Sequence, residues 1–203
     1  MTKTVELCFD VISPAAYIAW NILPKIAEAA GAEIQYTPIF LGGVMQATGN
    51  RPPGTVAAKG AWMNRDFARW CEMYELPYKR NSVFPQMTLT AMRGAVAYQE
   101  QPVFLDYITA LYRALHEEDR DIQQPEVMGE ILGDLGIDGT EFMARIGDQS
   151  IKDKLKTNTE NAVERGVFGA PSFFIGDTMH WGQDRLFMVA QDLGTSIHDA
   201  LAD

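Results

Sequence analysis

Hydrophobic and polar positions divide the chain into three zones, and the first of these has a β-α-β pattern. An apolar run at 4–9 predicts a strand, and apolar side chains at helical spacing predict a helix over 14–30. A second strand is predicted at 33–37. Pro24 lies inside the helix and predicts a kink or a division there, because proline removes a backbone hydrogen bond and crowds the preceding turn. A single helix connects the two strands, and such a β-α-β crossover predicts that they pair in parallel.

The middle zone, about 41–165, has almost no strand signal. It opens with a segment rich in glycine and proline at 41–54, which predicts a loop. Helical patterns then follow one another, and we predict six helices, at 56–74, 88–100, 103–116, 125–135, 139–146 and 150–165. The aromatic side chains of the first helix, at 62, 67, 70 and 74, are expected to pack rather than to contact a ligand.

The last zone returns to strand patterns. A strand at 172–175 leads into Gly176-Asp177, which is a two-residue hairpin signal, and a strand at 178–181 follows. A final helix is predicted from 183 to about 193. One sheet would then be assembled from the two ends of the chain. This order predicts an α/β, thioredoxin-like fold, with the thioredoxin-like domain formed by 1–40 and 166–203 and an inserted all-helical domain at 41–165.

Composition narrows the classes of function. The chain has 203 residues, 47% of them hydrophobic, which suits a soluble globular protein. Its formal net charge of −10 argues against nucleic acid and against an anionic membrane surface as partners. The sequence shows neither an apolar stretch long enough to span a membrane nor a secretory signal. We therefore expect a cytosolic protein.

Cysteine and histidine residues give no sign of a metal site. Cys8 and Cys71 are the only cysteines, they form no C-x-x-C pattern, and both are expected to be small buried hydrophobes. The three histidines, at 116, 180 and 198, show no metal-ligand spacing. A Cys–His nucleophile pair stays open, although nothing in the sequence favours one.

The transition from the first strand to the first helix is the strongest chemical signal. Ser13 is suited to cap the helix, and Pro14 suits its first position because proline has no N–H to leave unsatisfied. The Ser13 hydroxyl would lie at the positive end of a helix, where a thiolate is stabilised. The chain has no cysteine there, so a thiolate would have to come from a ligand. The alternative is that Ser13 is a simple cap.

Four sequence stretches carry a resemblance to a known family: Phe-Asp-Val-Ile-Ser-Pro at 9–14, Thr-Gly-Asn-Arg-Pro-Pro-Gly at 48–54, Gly-Val-Phe-Gly-Ala-Pro at 166–171 and Trp-Gly-Gln-Asp-Arg-Leu at 181–186. In this order and spacing, the chain resembles the 2-hydroxychromene-2-carboxylate isomerases and their relatives, the kappa-class glutathione transferases. The resemblance covers nearly the whole chain. It implies a thioredoxin fold with inserted helices, glutathione as cofactor, and usually a homodimer.

Ser13 is the catalytic residue that the resemblance implies. Disulfide oxidoreductases of this fold carry a C-x-x-C motif where this chain has Ser-Pro-Ala-Ala at 13–16, so thiol–disulfide exchange through that motif is impossible here. The resemblance implies that Ser13 donates a hydrogen bond to the glutathione sulfur. A donor to the charged form favours the thiolate. Ala15 and Ala16 stand where family members often have an aromatic residue and a second serine, which leaves the second substrate open.

The resemblance also assigns residues that bind glutathione. Pro171 matches the cis-proline of the fold, which exposes the backbone of Ala170 for pairing with an extended peptide. The alternative is an ordinary proline at the start of a strand.

The two ends of glutathione are assigned by motif in the same way. Asn50 and Lys59 match positions that hold its glycine end, where a carboxylate needs donors. Gln183 and Asp184 match the pair that holds the γ-glutamyl end. The alternatives are a turn residue for Asn50 and helix capping for Gln183 and Asp184.

By resemblance, the expected activity is the glutathione-dependent isomerisation of 2-hydroxychromene-2-carboxylate to trans-o-hydroxybenzylidenepyruvate, or of a related intermediate of aromatic degradation. The partners would be glutathione and a small aromatic carboxylate. The thiolate would add to an unsaturated ring carbon, and glutathione would be returned unchanged. Two alternatives remain: a kappa-like transferase that keeps the conjugate, and a thioredoxin-like binding module without catalysis.

Overall fold

The computed structural model describes residues 3–202, and its strands form one sheet. These strands are β1 (Lys3–Phe9), β2 (Ala32–Pro38), β3 (Ser172–Ile175) and β4 (Thr178–Trp181). Their order across the sheet is β2-β1-β3-β4. The pairing of β1 with β2 is parallel, as predicted, and β3 pairs antiparallel with both β1 and β4. The two ends of the chain therefore build one sheet, which confirms the predicted thioredoxin-like topology.

Helices occupy most of the remaining described residues. They are α1 (Pro14–Ala30), α2 (Leu41–Thr48), α3 (Ala57–Met73), α4 (Leu89–Tyr98), α5 (Phe104–His116), α6 (Pro125–Asp134), α7 (Gly139–Gly147), α8 (Gln149–Glu164), α9 (Leu186–Asp192) and α10 (Ile197–Leu201). Short 3-10 turns lie at Pro53–Thr55 and Gln183–Arg185. The six predicted helices of the middle zone agree with α3 to α8 to within a few residues. No helix among residues 3–202 is long and apolar enough to cross a membrane.

One of the alternatives predicted for α1 does not occur, and one loop prediction was wrong. First, α1 is not divided at Pro24, because apolar residues on both sides of the proline, Leu23 and Ile26, are buried in the core. Second, the segment predicted as a loop from 41 begins with α2. A Cβ on Gly42 would lie 2.9 Å from the Phe40 ring, so glycine allows close packing there. Tertiary packing outweighs the low helix propensity of glycine.

Smaller differences concern the surface and the C-terminal region. Trp62 was expected to pack, but it is 50% exposed. Helix α10 was not predicted, and Ser196 caps it by accepting a hydrogen bond from Asp199 N at 3.0 Å. The helix is only five residues long, too short for a reliable hydrophobic period.

The sheet and the middle-zone helices share one hydrophobic cluster. Trp20 of α1 lies between them: its ring is centred 5.4 Å from the Phe9 ring and 5.7 Å from the Tyr112 ring. The Trp20 indole also donates a hydrogen bond to Thr109 Oγ1 of α5 at 3.0 Å. The helical zone is therefore packed directly against α1. Its separation as a domain at 41–165 stays a prediction.

Gly94→Ala is expected to destabilise the protein by about 1–3 kcal/mol through overpacking. A Cβ on Gly94 would collide with the Tyr107 hydroxyl and lie 2.7 Å from the Phe142 ring, and both side chains are buried. Gly129→Ala in α6 is the matched control, because nothing lies within 4 Å of its Cβ position. We expect that control to stabilise by up to about 1 kcal/mol. Denaturant unfolding measures both, and equal shifts would contradict the packing argument.

Candidate active site

Ser13 caps α1 and also contacts the other end of the chain. Its Oγ accepts a hydrogen bond from Ala16 N at 3.2 Å, and its hydroxyl donates to the carbonyl of Ala170 at 2.8 Å. The residue is 7% exposed, and Pro14 occupies the first helical position. The predicted geometry of a hydroxyl at a helix start is therefore present. The bond to Ala170 adds what local sequence could not show.

The segment facing Ser13 is held rigidly. The Ala170–Pro171 peptide bond is cis, where the resemblance implies such a bond. Gly182 N donates to the carbonyl of Pro171 at 3.0 Å, and Ser172 Oγ donates to Gly169 O at 2.8 Å. These bonds anchor the segment from both sides, so the backbone of Ala170 has a defined position beside Ser13.

Asn50 lies next to the same segment. Gly49 ends α2 in the left-handed conformation, with φ of 71°. The Asn50 side chain then donates from Nδ2 to Phe168 O at 2.8 Å and accepts from Arg51 N at Oδ1, also at 2.8 Å. Asn50 therefore follows the end of α2 and contacts the segment that contains Ala170.

Gln183 and Asp184 lie one residue after the end of β4, next to Gly182, whose N–H donates to the Pro171 carbonyl. Gln183 is buried, and Asp184 pairs with Arg185 at 2.7 Å. Gly182 has a φ of 94°, which favours glycine, and a Cβ there would lie 2.5 Å from an Asp184 carboxylate oxygen and displace that side chain. The structure thus brings the backbone of this pair to the same end of the β3–β4 hairpin as Ala170.

Lys59 is the predicted site residue that the structure does not join to the others. It lies exposed on the first turn of α3. Among the described residues, no hydrogen bond or ion pair links its side chain to Ser13, Asn50, Ala170 or Gln183.

Two aromatic side chains near Ala170 were not predicted from the sequence as part of the site. Phe168 and Trp181 are 36% and 45% exposed, and their ring centroids are 4.9 Å apart. A Cβ on Gly169 would lie 2.5 Å from the Trp181 indole nitrogen, so the indole covers the backbone just before Ala170. Both aromatics lie within the family stretches at 166–171 and 181–186, and that position was the available signal in the sequence.

Two buried ionisable groups beside the Ser13 turn were also missed. Burial raises the pKa of Asp10 to about 6, although hydrogen bonds from Leu41, Ile12 and Thr88 oppose the rise. Burial lowers the pKa of His116 to about 4, so this ring is neutral at pH 7. Its Nε2 lies 2.8 Å from Val11 O, and the neutral ring donates its proton to that carbonyl.

The cysteines are buried, as predicted, and neither stands at the start of α1. Burial raises the pKa of Cys71 to about 12, and it also raises the pKa of Cys8 far above its usual range. Thiolates at these positions are therefore scarce at neutral pH. Within residues 3–202, no group of three or more histidine, cysteine, aspartate or glutamate residues has the spacing of a metal site.

A large surface cavity lies away from these residues. Its volume is about 890 Å³, and it lies between α2, α4 and α8. Phe40, Leu89 and Leu155 are among the apolar residues that line it, whereas Ser13, Ala170 and Gln183 do not. The site residues assigned by resemblance therefore lie outside this cavity.

Comparison with known proteins identifies the family. The family model of the DsbA-like thioredoxin domain matches residues 4–194. The chain belongs to the DsbA-like thioredoxin family. It is 30% identical to 2-hydroxychromene-2-carboxylate isomerase of Pseudomonas sp. (strain C18), over 94% of this chain and 90% of that protein. It is 28% identical to human glutathione S-transferase kappa 1, over 96% of this chain and 92% of the transferase.

A solved structure confirms the relationship within this DsbA-like family. The structure of a 2-hydroxychromene-2-carboxylate isomerase superposes with a TM-score of 0.85 at 27% identity, covering 94% of both chains. The relatives named here are an isomerase and a glutathione transferase, which supports an enzymatic function for this DsbA-like chain. It has no cysteine at 13–16 for the disulfide chemistry after which the wider family is named.

Proposed function

We propose that this enzyme is a glutathione-dependent isomerase of 2-hydroxychromene-2-carboxylate or a closely related product of aromatic ring fission. The observation that carries the proposal is the Ser13 hydroxyl, which stands at the start of α1 and 2.8 Å from Ala170 O beside the cis bond to Pro171. Bound glutathione would supply a thiolate that adds to the substrate and leaves again. No cysteine of the chain stands at this helix start, so the nucleophile has to be brought by a ligand.

The hydrogen bonds at Ser13 suit such a ligand. A hydroxyl has one proton, and Ser13 now donates it to Ala170 O. To donate to a sulfur, Ser13 has to release that carbonyl, which can then accept an N–H from an extended peptide. The number of satisfied groups is unchanged by this exchange. Ser13 can continue to accept from Ala16 N, which keeps its oxygen at the helix start.

The neighbouring residues can hold the two ends of the tripeptide. Asn50 has a second amide proton beyond the one it donates to Phe168 O, and this proton can bind a carboxylate. Asp184 has acceptor sites left beside its pair with Arg185, and these can bind an ammonium. Gln183 contributes a buried amide at the same place. Lys59 can add a cation for the glycine end.

A kappa-like transferase is the second candidate, supported by the human relative. The two candidates share the glutathione site. The transferase would release the glutathione conjugate as its product, whereas the isomerase would break it down and return free glutathione. A binding module without catalysis is disfavoured because both groups of relatives are named as enzymes. A homodimer and a cytosolic location stay predictions.

Chromatography of the purified protein with glutathione and a chromene carboxylate tests the proposal. We expect turnover to the isomer, with glutathione recovered unmodified. A stable conjugate would support the transferase instead. Titration calorimetry supplies the binding measurement, and an absence of heat and of thermal stabilisation at millimolar glutathione would contradict both candidates.

A further inference from the structure

Asp10 is a fully buried carboxylate that joins three separate segments of the chain. Its Oδ1 accepts hydrogen bonds from Ile12 N at 3.1 Å and from Thr88 Oγ1 at 2.8 Å. Its Oδ2 accepts from Leu41 N at 2.8 Å. Ile12 belongs to the turn between β1 and α1, Leu41 begins α2, and Thr88 precedes α4. One side chain therefore links the turn to the starts of two other helices.

The surroundings of Asp10 suit a negative charge. A buried carboxylate is costly unless its oxygens are hydrogen-bonded, and both oxygens of Asp10 are. Leu41 and Thr88 lie at the starts of α2 and α4, so the positive ends of both helix dipoles are close to the Asp10 carboxylate. These interactions offset part of the cost of burial, which still raises the pKa of Asp10 to about 6.

The Asp10 turn carries Ser13. The Ser13 backbone N–H donates to the Asp10 carbonyl at 3.1 Å, and the intervening Val11 carbonyl is bound by His116 of α5. Ile12 is held by the Asp10 side chain itself. The turn from 10 to 13 is thus fixed at each residue by a hydrogen bond, and its position is set by α2, α4 and α5.

We propose that Asp10, together with Thr88, is a positioning residue that holds the Ser13 hydroxyl at the place where a thiolate binds. The inference rests on the proposed function, because it assumes that Ser13 donates to a sulfur. Asp10 itself contacts no reacting atom in this proposal. It acts through the turn, so its loss should slow the chemical step more than it weakens glutathione binding.

Isosteric variants separate positioning from general stability. Asp10→Asn keeps the shape but replaces one acceptor oxygen by an amide nitrogen, so Leu41 N or Ile12 N loses its partner. Thr88→Val removes a hydroxyl while the carboxylate stays, and Thr88→Ser keeps the hydroxyl as its matched control. Tyr107→Phe is the stability control. It deletes a buried hydrogen bond to Ala91 O, 3.0 Å long, between α5 and α4.

With glutathione and the chromene carboxylate, Asp10→Asn should lower kcat at least tenfold while the KM for glutathione stays within threefold. Thr88→Val should also lower kcat, whereas the kcat of Thr88→Ser and of Tyr107→Phe should stay near that of the wild type per folded molecule. Hydrogen exchange in the free protein should become faster at 12 or at 41 in Asp10→Asn, at whichever amide loses its acceptor, and at neither position in Tyr107→Phe. Normal kcat in folded Asp10→Asn would overturn the proposal.

A measurement without glutathione keeps the inference separate from the proposed function. In the Ser13→Cys background, the alkylation rate of the introduced thiol against pH reports the environment of the helix start. Thr88→Val leaves the Asp10 carboxyl group in place but removes one of its hydrogen-bond donors. It should raise the ionisation midpoint of this thiol by about half a pH unit or more, and Thr88→Ser should not. An unchanged midpoint in Thr88→Val overturns the positioning role. A shifted midpoint in a protein that binds no glutathione supports that role and rejects only the proposed function.

Discussion

Ser13→Ala is expected to lower turnover with glutathione by about a hundredfold, the scale of losing one preorganised donor to a developing or bound anion. Glutathione affinity should fall much less, because Asn50, Gln183 and Asp184 would still hold the two ends of the peptide. The pH at which the bound thiol ionises should rise, since a donor to the charged form is lost. Ultraviolet titration of the thiolate in the glutathione complex measures this shift.

Ser196→Ala is the matched control for this variant. Ser196 caps α10 with the same geometry, accepting from a backbone N–H three residues ahead. If Ser13 is only a cap, both variants should cost about 0.5–2 kcal/mol of stability and leave turnover per folded molecule near wild type. A loss of turnover in Ser13→Ala alone identifies a role beyond capping. Unchanged turnover and an unchanged ionisation pH in Ser13→Ala would show that Ser13 is only a helix cap.

The elements that the sequence predicted well are those set by local signals. A strand followed by Ser13 and Pro14 determines where α1 begins, and Gly31 ends it in the left-handed conformation. The hairpin at Gly176-Asp177 follows from the turn residues alone. In each case, the residues at the boundary themselves favour the backbone conformation that starts or ends the element.

The sequence was least informative where distant packing decides the structure. Glycines at 42 and 43 indicate a loop when taken alone, but a Cβ on Gly42 would lie 2.9 Å from the Phe40 ring, so glycine packs more closely there than a larger residue could. Pro24 is tolerated in α1 because the apolar face of the helix is buried on both sides of it. Neither contact can be recognised from the local pattern.

The same distinction applies to the candidate site. Ser13 and Pro171 were predicted from their motifs, but the hydrogen bond between Ser13 and Ala170 joins residues 157 positions apart. The role inferred for Asp10 depends on partners 31 and 78 positions away, at Leu41 and Thr88. In the sequence, Asp10 is only a polar residue after a strand. The role proposed for Asp10 follows from its burial, which comes about only when the chain folds.

Ser13→Cys is expected to abolish isomerisation and to create a site for disulfide formation with glutathione. A thiol at a helix start has its pKa lowered to about 3.5–7.5, so the introduced thiol should be ionised at neutral pH. That thiolate can attack glutathione disulfide, forming a mixed disulfide and releasing one glutathione thiolate. The adduct would occupy the site. Even in its reduced form, the variant would replace a neutral donor by an anion that repels a second thiolate.

Intact-mass measurement after incubation with glutathione disulfide tests this expectation. Wild type is the control, because Cys8 and Cys71 are buried and burial raises the pKa of both thiols, so neither should gain glutathione. We expect one adduct in Ser13→Cys and none in wild type, with the adduct removed by a reductant and turnover still absent. Full turnover without an adduct would contradict the assignment of residue 13 to the sulfur site. An adduct with full turnover would show that the thiolate of the reaction binds elsewhere, because a blocked helix start cannot also hold a second glutathione sulfur.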